Sequence, residues 1–139
     1  MEFRYVPDSL EEPMRIVIVE DDPNTGAIFE DSLSLDGHEV QRFTVAIDAL
    51  SYILSAPPDV IILDLRLPSL DGVSFLERLW LLQQDIPVVV VSGHVTPDTL
   101  SRCLELGAIK VLSKPVVLDT LSETIATIPA RRRSQPTIF

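Results

Sequence analysis

Short apolar runs alternate with amphipathic stretches along the whole chain. Three runs are continuous and rich in β-branched side chains, which is typical of parallel strands buried on both faces of a sheet. In chain order the runs are IVIV (16–19), the weaker HEVQRF (38–43), VIIL (60–63), VVVV (88–91) and IKVL (109–112). Strand–helix alternation repeated five times predicts an α/β fold, a doubly wound five-stranded parallel sheet with helices on both faces. The pattern alone leaves the strand order open.

The stretches between the runs have the spacing of amphipathic helices. In the stretch 94–107, Thr96 is the expected N-cap, Pro97 the first helical residue, and Gly107 the end of the helix. Cys103 is expected to pack in the core. For Trp80 we prefer the core to a partner-binding patch, which stays open. The other side chains predicted to face inward are Ile47, Leu50, Leu54, Leu100, Leu104, Leu118, Leu121, Ile125 and Ile128.

Length and composition narrow the class of protein. The 139 residues suffice for one domain, which we expect at 14–129, between an N-terminal extension at 1–13 and a tail or linker start at 130–139. No apolar stretch approaches the roughly 20 residues of a membrane span, and the first residues are too acidic for a signal peptide. The single cysteine, Cys103, favours a reducing cytoplasm. The net charge of −10 argues against direct binding of nucleic acid.

Polar side chains follow four of the five predicted strands. In chain order they are Glu20, Asp21, Asp22, Asp64, Ser92 and Lys114. Because the carboxyl ends of parallel strands meet at one edge of a sheet, we expect these groups to lie together where doubly wound folds bind their ligands. Carboxylates, a hydroxyl and an ammonium in one place suit a phosphoryl group with a divalent metal.

Each group has a role in that chemistry. Asp21 and Asp64 offer the oxygen ligands that Mg²⁺ prefers, and the ion would offset the repulsion among neighbouring acids. Asp64 can also act as a nucleophile, because a carboxylate can form an aspartyl phosphate. Lys114 would neutralise phosphoryl oxygens, and Ser92 would donate a hydrogen bond to them.

Ordinary structural roles also explain each of these residues taken alone. Acids are common at helix starts, where they cap the helix or favour its positive end, as Asp22 before Pro23 would. Asp64 would be a turn residue, Lys114 a solvated cation and Ser92 a local hydrogen-bond partner. These roles do not explain why the residues occur together at four strand ends, so we prefer the phosphoryl-transfer interpretation.

With these motifs in order, residues 14–128 resemble the receiver domains of two-component response regulators, which have a flavodoxin-like fold. IVIVEDDP is similar to the family's first strand and acidic pair, and DVIILDLRLPSLDG to its phosphoacceptor segment. VVVVSGH resembles the fourth strand, which ends in Ser or Thr, and GAIKVLSKP the fifth strand with its Lys-Pro. The resemblance implies the strand order 2-1-3-4-5.

The resemblance also implies roles for the site residues. A Mg²⁺ ion would be held by Asp21, Asp64 and the backbone carbonyl of Arg66, with Glu20 binding it through water. Asp22 would then not be a ligand, which agrees with its interpretation as an N-cap. The residues implied to accept or contact the phosphoryl group are Asp64, Ser92 and Lys114.

Two positions depart from the usual receiver pattern. Val111 stands where receivers carry Tyr or Phe, so signalling by rotation of an aromatic ring is not available to this chain. Gly93 replaces the usual Ala and adds backbone freedom. Arg66 and His94 occupy the flanking positions that tune phosphoryl lifetime in receivers. The resemblance also implies a cis peptide bond between Lys114 and Pro115.

The expected function is that of a cytoplasmic receiver, phosphorylated on Asp64 with Mg²⁺ by a histidine kinase or phosphotransfer protein. A downstream protein, or an output domain missing from this chain, would read the change. We expect neither an enzyme acting on external substrates nor a protein that binds nucleic acid or membrane, and a homodimer through the last two helices is left open. One alternative is a pseudo-receiver that binds proteins without phosphorylation, which Val111 keeps open. Another is a dehalogenase-type phosphatase, which would need Asp-x-Asp where this chain has Asp64-Leu65-Arg66.

Overall fold

The computed structural model describes residues 13–68 and 70–129. The extension predicted at 1–13, apart from Pro13, and the tail predicted at 130–139 lie outside the described residues. The domain limits therefore stay predictions.

Five strands and five helices alternate along the described chain, as the apolar pattern predicted. The strands are β1 (Arg15–Val19), β2 (Glu39–Phe43), β3 (Val60–Asp64), β4 (Val88–Ser92) and β5 (Ala108–Ser113). The helices are α1 (Pro23–Leu35), α2 (Ala46–Ser55), α3 (Gly72–Leu81), α4 (Pro97–Glu105) and α5 (Leu118–Ala126).

The strands form one parallel sheet in the order β2-β1-β3-β4-β5. The doubly wound fold and the strand order are thus confirmed. Val19 pairs with Leu63, so the acids at the ends of β1 and β3 are neighbours. Asp64 pairs with Val91 on the other side, one residue before Ser92. This register brings the ends of three adjacent strands to one place.

The two faces of the sheet bury separate apolar clusters. All five side chains of β3 and all five of β4 are buried, which explains why their sequences are continuous apolar runs. One cluster packs the sheet against α2, α3 and α4, including Phe75 and Cys103. The other packs it against α1 and α5, including Phe29 and Ile125. Both faces are therefore covered by helices, which leaves the edges of the sheet for ligands.

Local signals at the helix ends behave as the sequence predicted. Thr96 caps α4, because its hydroxyl oxygen accepts a hydrogen bond from the backbone N–H of Thr99 at 3.1 Å, and Pro97 is the first residue of the helix. Gly107 has a φ of +102°, a conformation that favours glycine just past a helix. Leu50, Cys103, Leu121, Ile125 and Ile128 are buried as predicted.

The predicted burial is wrong for several large side chains. The residues that are exposed instead are Ile47, Leu54, Trp80, Leu100 and Leu104. The buried face of α2 consists of Ala46, Ala49, Leu50 and Ile53, so it is rotated away from Ile47 and Leu54. Helix α4 buries only Cys103.

The helices of the described residues do not have the properties of membrane-spanning helices. None of the helices within residues 13–68 and 70–129 combines the length and the apolar character of a membrane span.

Candidate functional site

Three carboxylates meet at the carboxyl edge of the sheet. Glu20 and Asp64 are each 3% exposed, whereas Asp21 is exposed to solvent. Carboxylate oxygens of the three residues lie within 4.8 Å of one another. Like charges at this distance repel, so the site needs a positive charge to be stable.

Lys114 supplies one positive charge from the segment that follows β5. Its Nζ donates to Glu20 Oε1 at 2.8 Å and to Asp64 Oδ2 at 3.1 Å. The other oxygen of Asp64, Oδ1, accepts from the backbone N–H of Arg66 at 3.0 Å. A single ammonium beside three carboxyl groups leaves a surplus of negative charge.

Glu20 and Lys114, which are joined by a hydrogen bond, both have raised pKa values. Burial raises the pKa of Glu20 to about 7; neighbouring Asp64 adds to the rise, and the hydrogen bond from Lys114 opposes it. Burial alone would lower the pKa of Lys114, but its hydrogen bonds to Glu20 and Asp64 outweigh that effect, and the pKa is raised. Both groups hold protons more strongly than in water, Glu20 mainly because it is buried and Lys114 because of its acidic partners.

This cluster is suited to a metal ion. Carboxylate oxygens are hard ligands that favour small divalent cations such as Mg²⁺ over softer metals. The ligand atoms are close enough for one ion, and two of the three side chains are held by buried strand ends. A bound cation would offset the repulsion that the lone ammonium leaves uncompensated.

The third acid of the run after β1 has a different role. Asp22 caps α1: its Oδ2 accepts from the hydroxyl of Thr25 at 2.6 Å and its Oδ1 from the backbone N–H of Asn24 at 3.3 Å. The hydrogen bond from Thr25 is the main cause of the lowered pKa of Asp22. The cap predicted from the Asp-Pro sequence is confirmed, and it fixes the loop that carries Glu20 and Asp21.

Ser92 lies at the end of β4, the strand next to the one that carries Asp64. Its side chain is buried, and its hydroxyl donates to the carbonyl oxygen of His94 at 3.3 Å. The backbone N–H of Lys114 donates to the carbonyl of Ser92 at 2.8 Å, which joins the ends of β4 and β5. Of the predicted site residues, the structure thus brings Glu20, Asp21, Asp64 and Lys114 into one cluster, with Ser92 on the adjoining strand end.

The loop after β3 is closed by a tight contact with the start of α3. The backbone N–H of Gly72 donates to the carbonyl of Leu65 at 2.9 Å. A Cβ atom at position 72 would lie 2.5 Å from the Cα of Leu65, which requires glycine there. Asp71 caps the helix by accepting from the backbone N–H of Ser74 at 2.9 Å. We did not single out Asp71 from the sequence, although the Asp-x-x-Ser spacing is an N-cap signal.

The remaining predictions at this edge concern backbone and packing. The Lys114–Pro115 peptide bond is cis, as the resemblance implied. Val111 is partly buried and packs against the apolar cluster under α2, α3 and α4. A Cβ atom at Gly93 would meet nothing within 4 Å, so the loop after β4 has open space beside it.

Comparisons with known proteins agree with this geometry. Residues 16–126 match the family described as the response regulator receiver domain. The transcriptional regulatory protein PrrA of Mycobacterium tuberculosis is 37% identical over 123 residues, 88% of this chain and 53% of PrrA. The sensor histidine kinase RcsC of Salmonella typhimurium is 32% identical over 120 residues, 86% of this chain and only 13% of RcsC.

Solved structures show the same fold. The response regulator receiver domain protein (CheY-like) of Methanospirillum hungatei superimposes with a TM-score of 0.79 at 27% identity, covering 84% of this chain and 93% of that one. A putative response regulator from Chloroflexus aurantiacus superimposes with a TM-score of 0.77 at 28% identity, covering 84% and 98%. The chain belongs to the response regulator receiver domain family, a module of two-component signalling rather than a catalytic enzyme.

Proposed function

We propose that Asp64 accepts a phosphoryl group and that the resulting aspartyl phosphate switches the domain between two conformations. The observation that supports this most directly is the position of Asp64, buried between a lysine and a second carboxylate at the edge where the strands end. A carboxylate in this setting is oriented as a nucleophile and has a cation within 3.1 Å to balance charge.

In the transfer step, one carboxylate oxygen of Asp64 attacks the phosphorus of a phosphohistidine on a kinase or phosphotransfer protein. The new O–P bond forms as the P–N bond breaks, and the electron pair stays on the imidazole nitrogen of the donor. Lys114 faces the charge that develops on the phosphoryl oxygens. Water later hydrolyses the aspartyl phosphate and regenerates the carboxylate.

We further propose that the metal is Mg²⁺, held by Asp21, Asp64 and the backbone carbonyl of Arg66, with Glu20 bound through water. The ion would supply charge neutralisation and orientation of the phosphoryl oxygens. The chain's contribution is to present the ligands from two adjacent buried strand ends, with Asp22 and Thr25 fixing the loop between β1 and α1.

For the switch, we propose a change in the loop after β4 and in α4. Ser92 Oγ donates to the carbonyl of His94 in this loop. If the hydroxyl turned toward a phosphoryl group on Asp64, that loop contact would be released and the population of loop conformations would shift. Val111 has no ring to move with it, so any inward shift at β5 must involve an aliphatic side chain packed under α4.

The partners we propose are a histidine kinase or phosphotransfer protein upstream and a protein or output domain downstream, with the domain located in the cytoplasm. These proposals rest on the family and on the similarity to a regulatory protein and a sensor histidine kinase, of which this chain spans only part.

The test is the intact mass of the full chain after incubation with acetyl phosphate, with and without Mg²⁺. We expect a gain of one phosphoryl group that needs Mg²⁺ and is lost in Asp64→Asn. Asp59→Asn is the matched control, because Asp59 is equally buried but lies before β3, at the opposite edge. Phosphorylation that persists in Asp64→Asn would disprove the assignment of the acceptor.

A second candidate is a pseudo-receiver that binds its partners without being phosphorylated. The observation that favours it is Val111 in place of the usual aromatic residue. No mass gain with acetyl phosphate or with a phosphorylated histidine donor, in a folded protein that still binds Mg²⁺, would select this candidate over the first.

A further inference from the structure

Helix α3 ends in an apolar groove that the phosphoryl-transfer site does not use. The groove consists of two adjoining hollows of about 460 Å³ and 390 Å³ that share Trp80 and Leu106. Trp80 is 61% exposed and Leu81 is 77% exposed. We call this surface the α3 groove; its other apolar lining residues are Leu76, Leu79, Ile86 and Val88. An aromatic and an aliphatic side chain side by side in a concave surface are typical of a docking site.

The charges around the α3 groove are mainly negative. Asp85 lines the first hollow, and Glu77 and Glu105 line the second. Arg102 is the basic residue among the lining residues, and it is already paired with Glu77 at 3.0 Å and Glu105 at 3.6 Å. The groove therefore favours a ligand that combines apolar and basic groups.

The backbone at the groove has an unusual residue. Gln83, which follows α3 and lines the first hollow, has a φ of +57°. The corresponding left-handed residues after α1 and α4 are glycines, Gly37 and Gly107. A side chain in this conformation costs about 1 kcal/mol relative to glycine. The chain thus carries a strained side chain at the rim of the groove, where glycine would be more stable.

We propose that residues 130–139 of this chain, ARRRSQPTIF, dock in the α3 groove. The segment places three consecutive arginines before an apolar end, Ile138-Phe139. The arginines complement Glu77, Asp85 and Glu105 at the rim, and the apolar end complements the lining around Trp80.

The topology puts this segment within reach. In a parallel sheet with crossover helices, each helix ends near the amino ends of the strands. Helix α5 ends at Ala126 and Ile128 is buried against the sheet. The α3 groove opens at the same edge, since Val88, the first residue of β4, and Gly107 line it. Ten extended residues span at most about 33 Å, a length suited to passing around the amino ends of the strands from one face of the sheet to the other.

Charge also selects this segment over the other end of the chain. Residues 1–12 contain four acids and a single arginine, so the α3 groove would repel them. The ten C-terminal residues contain three arginines and no acid. The C-terminal segment differs from residues 1–12 in that its positive charge is attracted to the acidic rim of the α3 groove.

Trp80 makes the proposal directly measurable, because it is the sole tryptophan of the chain. Its fluorescence quenching by acrylamide in the full chain reports whether the groove is covered. We expect the charge reversal Arg131→Glu, Arg132→Glu, Arg133→Glu to lower the ratio of docked to free segment about tenfold, by removing three exposed ion pairs. Phe139→Ala should also increase quenching, and added salt should increase it in the natural chain only.

Two further variants separate docking from a general charge effect. Lys110→Glu changes the charge of an exposed residue outside the groove by the same amount as Arg132→Glu, and should leave quenching unchanged. Asp85→Arg should increase quenching by itself, and combining it with Arg132→Glu should restore protection. Equal quenching in the natural chain and all segment variants would overturn the proposal. Protection that depends on protein concentration and not on the arginines would overturn it in favour of a second copy in the groove.

Discussion

Both edges of the sheet bury polar side chains, but among the described residues the carboxyl edge crowds several carboxylates together. At the amino edge, Asp59 accepts from the backbone N–H of Arg15 at 2.6 Å, and Nδ1 of His38 accepts from the backbone N–H of Met14 at 3.1 Å. At the carboxyl edge, Glu20 and Asp64 share the single ammonium of Lys114. Backbone N–H groups also donate to the acids of the carboxyl edge, from Asp22 to Glu20 at 3.2 Å and from Arg66 to Asp64 at 3.0 Å. The carboxyl edge differs in that three carboxylates lie together there, two of them bonded to one ammonium.

The difference separates a structural polar residue from a functional one. A backbone donor stays in place as long as the strand does, so groups bonded to it stabilise the fold. A cluster of acids around one lysine gains stability when a further cation binds and offsets the repulsion among them. Burial alone therefore does not distinguish the two edges; the crowding of like charges does.

The largest effect we expect tests whether packing also constrains the carboxyl edge. Gly72→Ala places a Cβ atom 2.5 Å from the Cα of Leu65, and should lower the free energy of unfolding by about 3 kcal/mol. Gly93→Ala is the matched control, since its Cβ meets nothing within 4 Å, and should change the value by about 0.5 kcal/mol or less. Urea unfolding followed by circular dichroism measures both, and equal losses would refute the close contact.

The same chemical change at the two edges should have opposite signs. Without divalent metal, Asp59→Asn should lower the free energy of unfolding by about 1 kcal/mol, because it weakens a short charge-assisted hydrogen bond. Asp64→Asn should raise it by a similar amount, because it removes one of three crowded negative charges.

Mg²⁺ sharpens this test. Adding the ion should raise the melting temperature of the natural chain and of Asp59→Asn more than that of Asp64→Asn, since a ligand that binds the folded state stabilises it. If Asp64→Asn proved as destabilising as Asp59→Asn, the contrast between the edges would fail.

The pH dependence of stability should distinguish the edges as well. Burial lowers the pKa of His38, although the charges of Asp36 and Asp59 oppose the shift. Below pH 6.5, His38 therefore binds a proton more readily in the unfolded chain than in the folded one. The free energy of unfolding thus falls as the pH decreases through that value. Glu20 affects stability in the opposite direction, because its pKa is raised from 4.5 to about 7. The stability that it contributes is present below pH 4.5 and is lost as the pH rises through about 7.

Comparison with His38→Asn isolates the contribution of His38 to the pH dependence. The asparagine oxygen can accept the hydrogen bond from the backbone N–H of Met14 but does not titrate. Urea unfolding between about pH 5 and 8 should show a smaller loss toward low pH in the variant than in the natural chain. Parallel pH profiles for the two proteins would exclude His38 as a source of acid sensitivity.

The smallest effect concerns backbone strain at the amino edge. Gln83→Gly should raise the free energy of unfolding by about 0.5–1 kcal/mol, because the residue has a φ of +57°. Gly107→Ala, at a φ of +102°, should lower it by about 1 kcal/mol or more. A loss of stability in Gln83→Gly, measured by thermal unfolding, would show that the glutamine side chain makes contacts that outweigh its strain.

The sheet and the site were largely predictable from the sequence, for identifiable reasons. Strands β3 and β4 are buried on every residue, so burial appears as an uninterrupted apolar run. The site residues follow strands, and parallel strands gather their ends at one edge. The strand order came only from the family resemblance, because pairing between distant strands leaves no local pattern.

The helix faces were harder to predict. The buried face of α2 contains Ala46 and Ala49 beside the larger Leu50 and Ile53. A prediction based on large side chains overlooked the alanines and placed the exposed Ile47 and Leu54 on that face. Trp80 was predicted to be in the core from its size, but it follows the buried Leu79 on the next face of α3 and is exposed. The ion pair between Lys114 and Glu20 was also not foreseen, since the sequence assigned the lysine to a phosphoryl group rather than to the acids.

The ion pair between Lys114 and Glu20 joins residues 94 positions apart, and the lysine follows the last strand. During synthesis on the ribosome, the acids and the strands that carry them therefore emerge long before the cation that offsets their repulsion. A nascent chain that is stalled or cut before β5 contains Asp64 but lacks the ammonium that bonds to it. Under the proposed function, we therefore expect such a fragment to accept a phosphoryl group poorly.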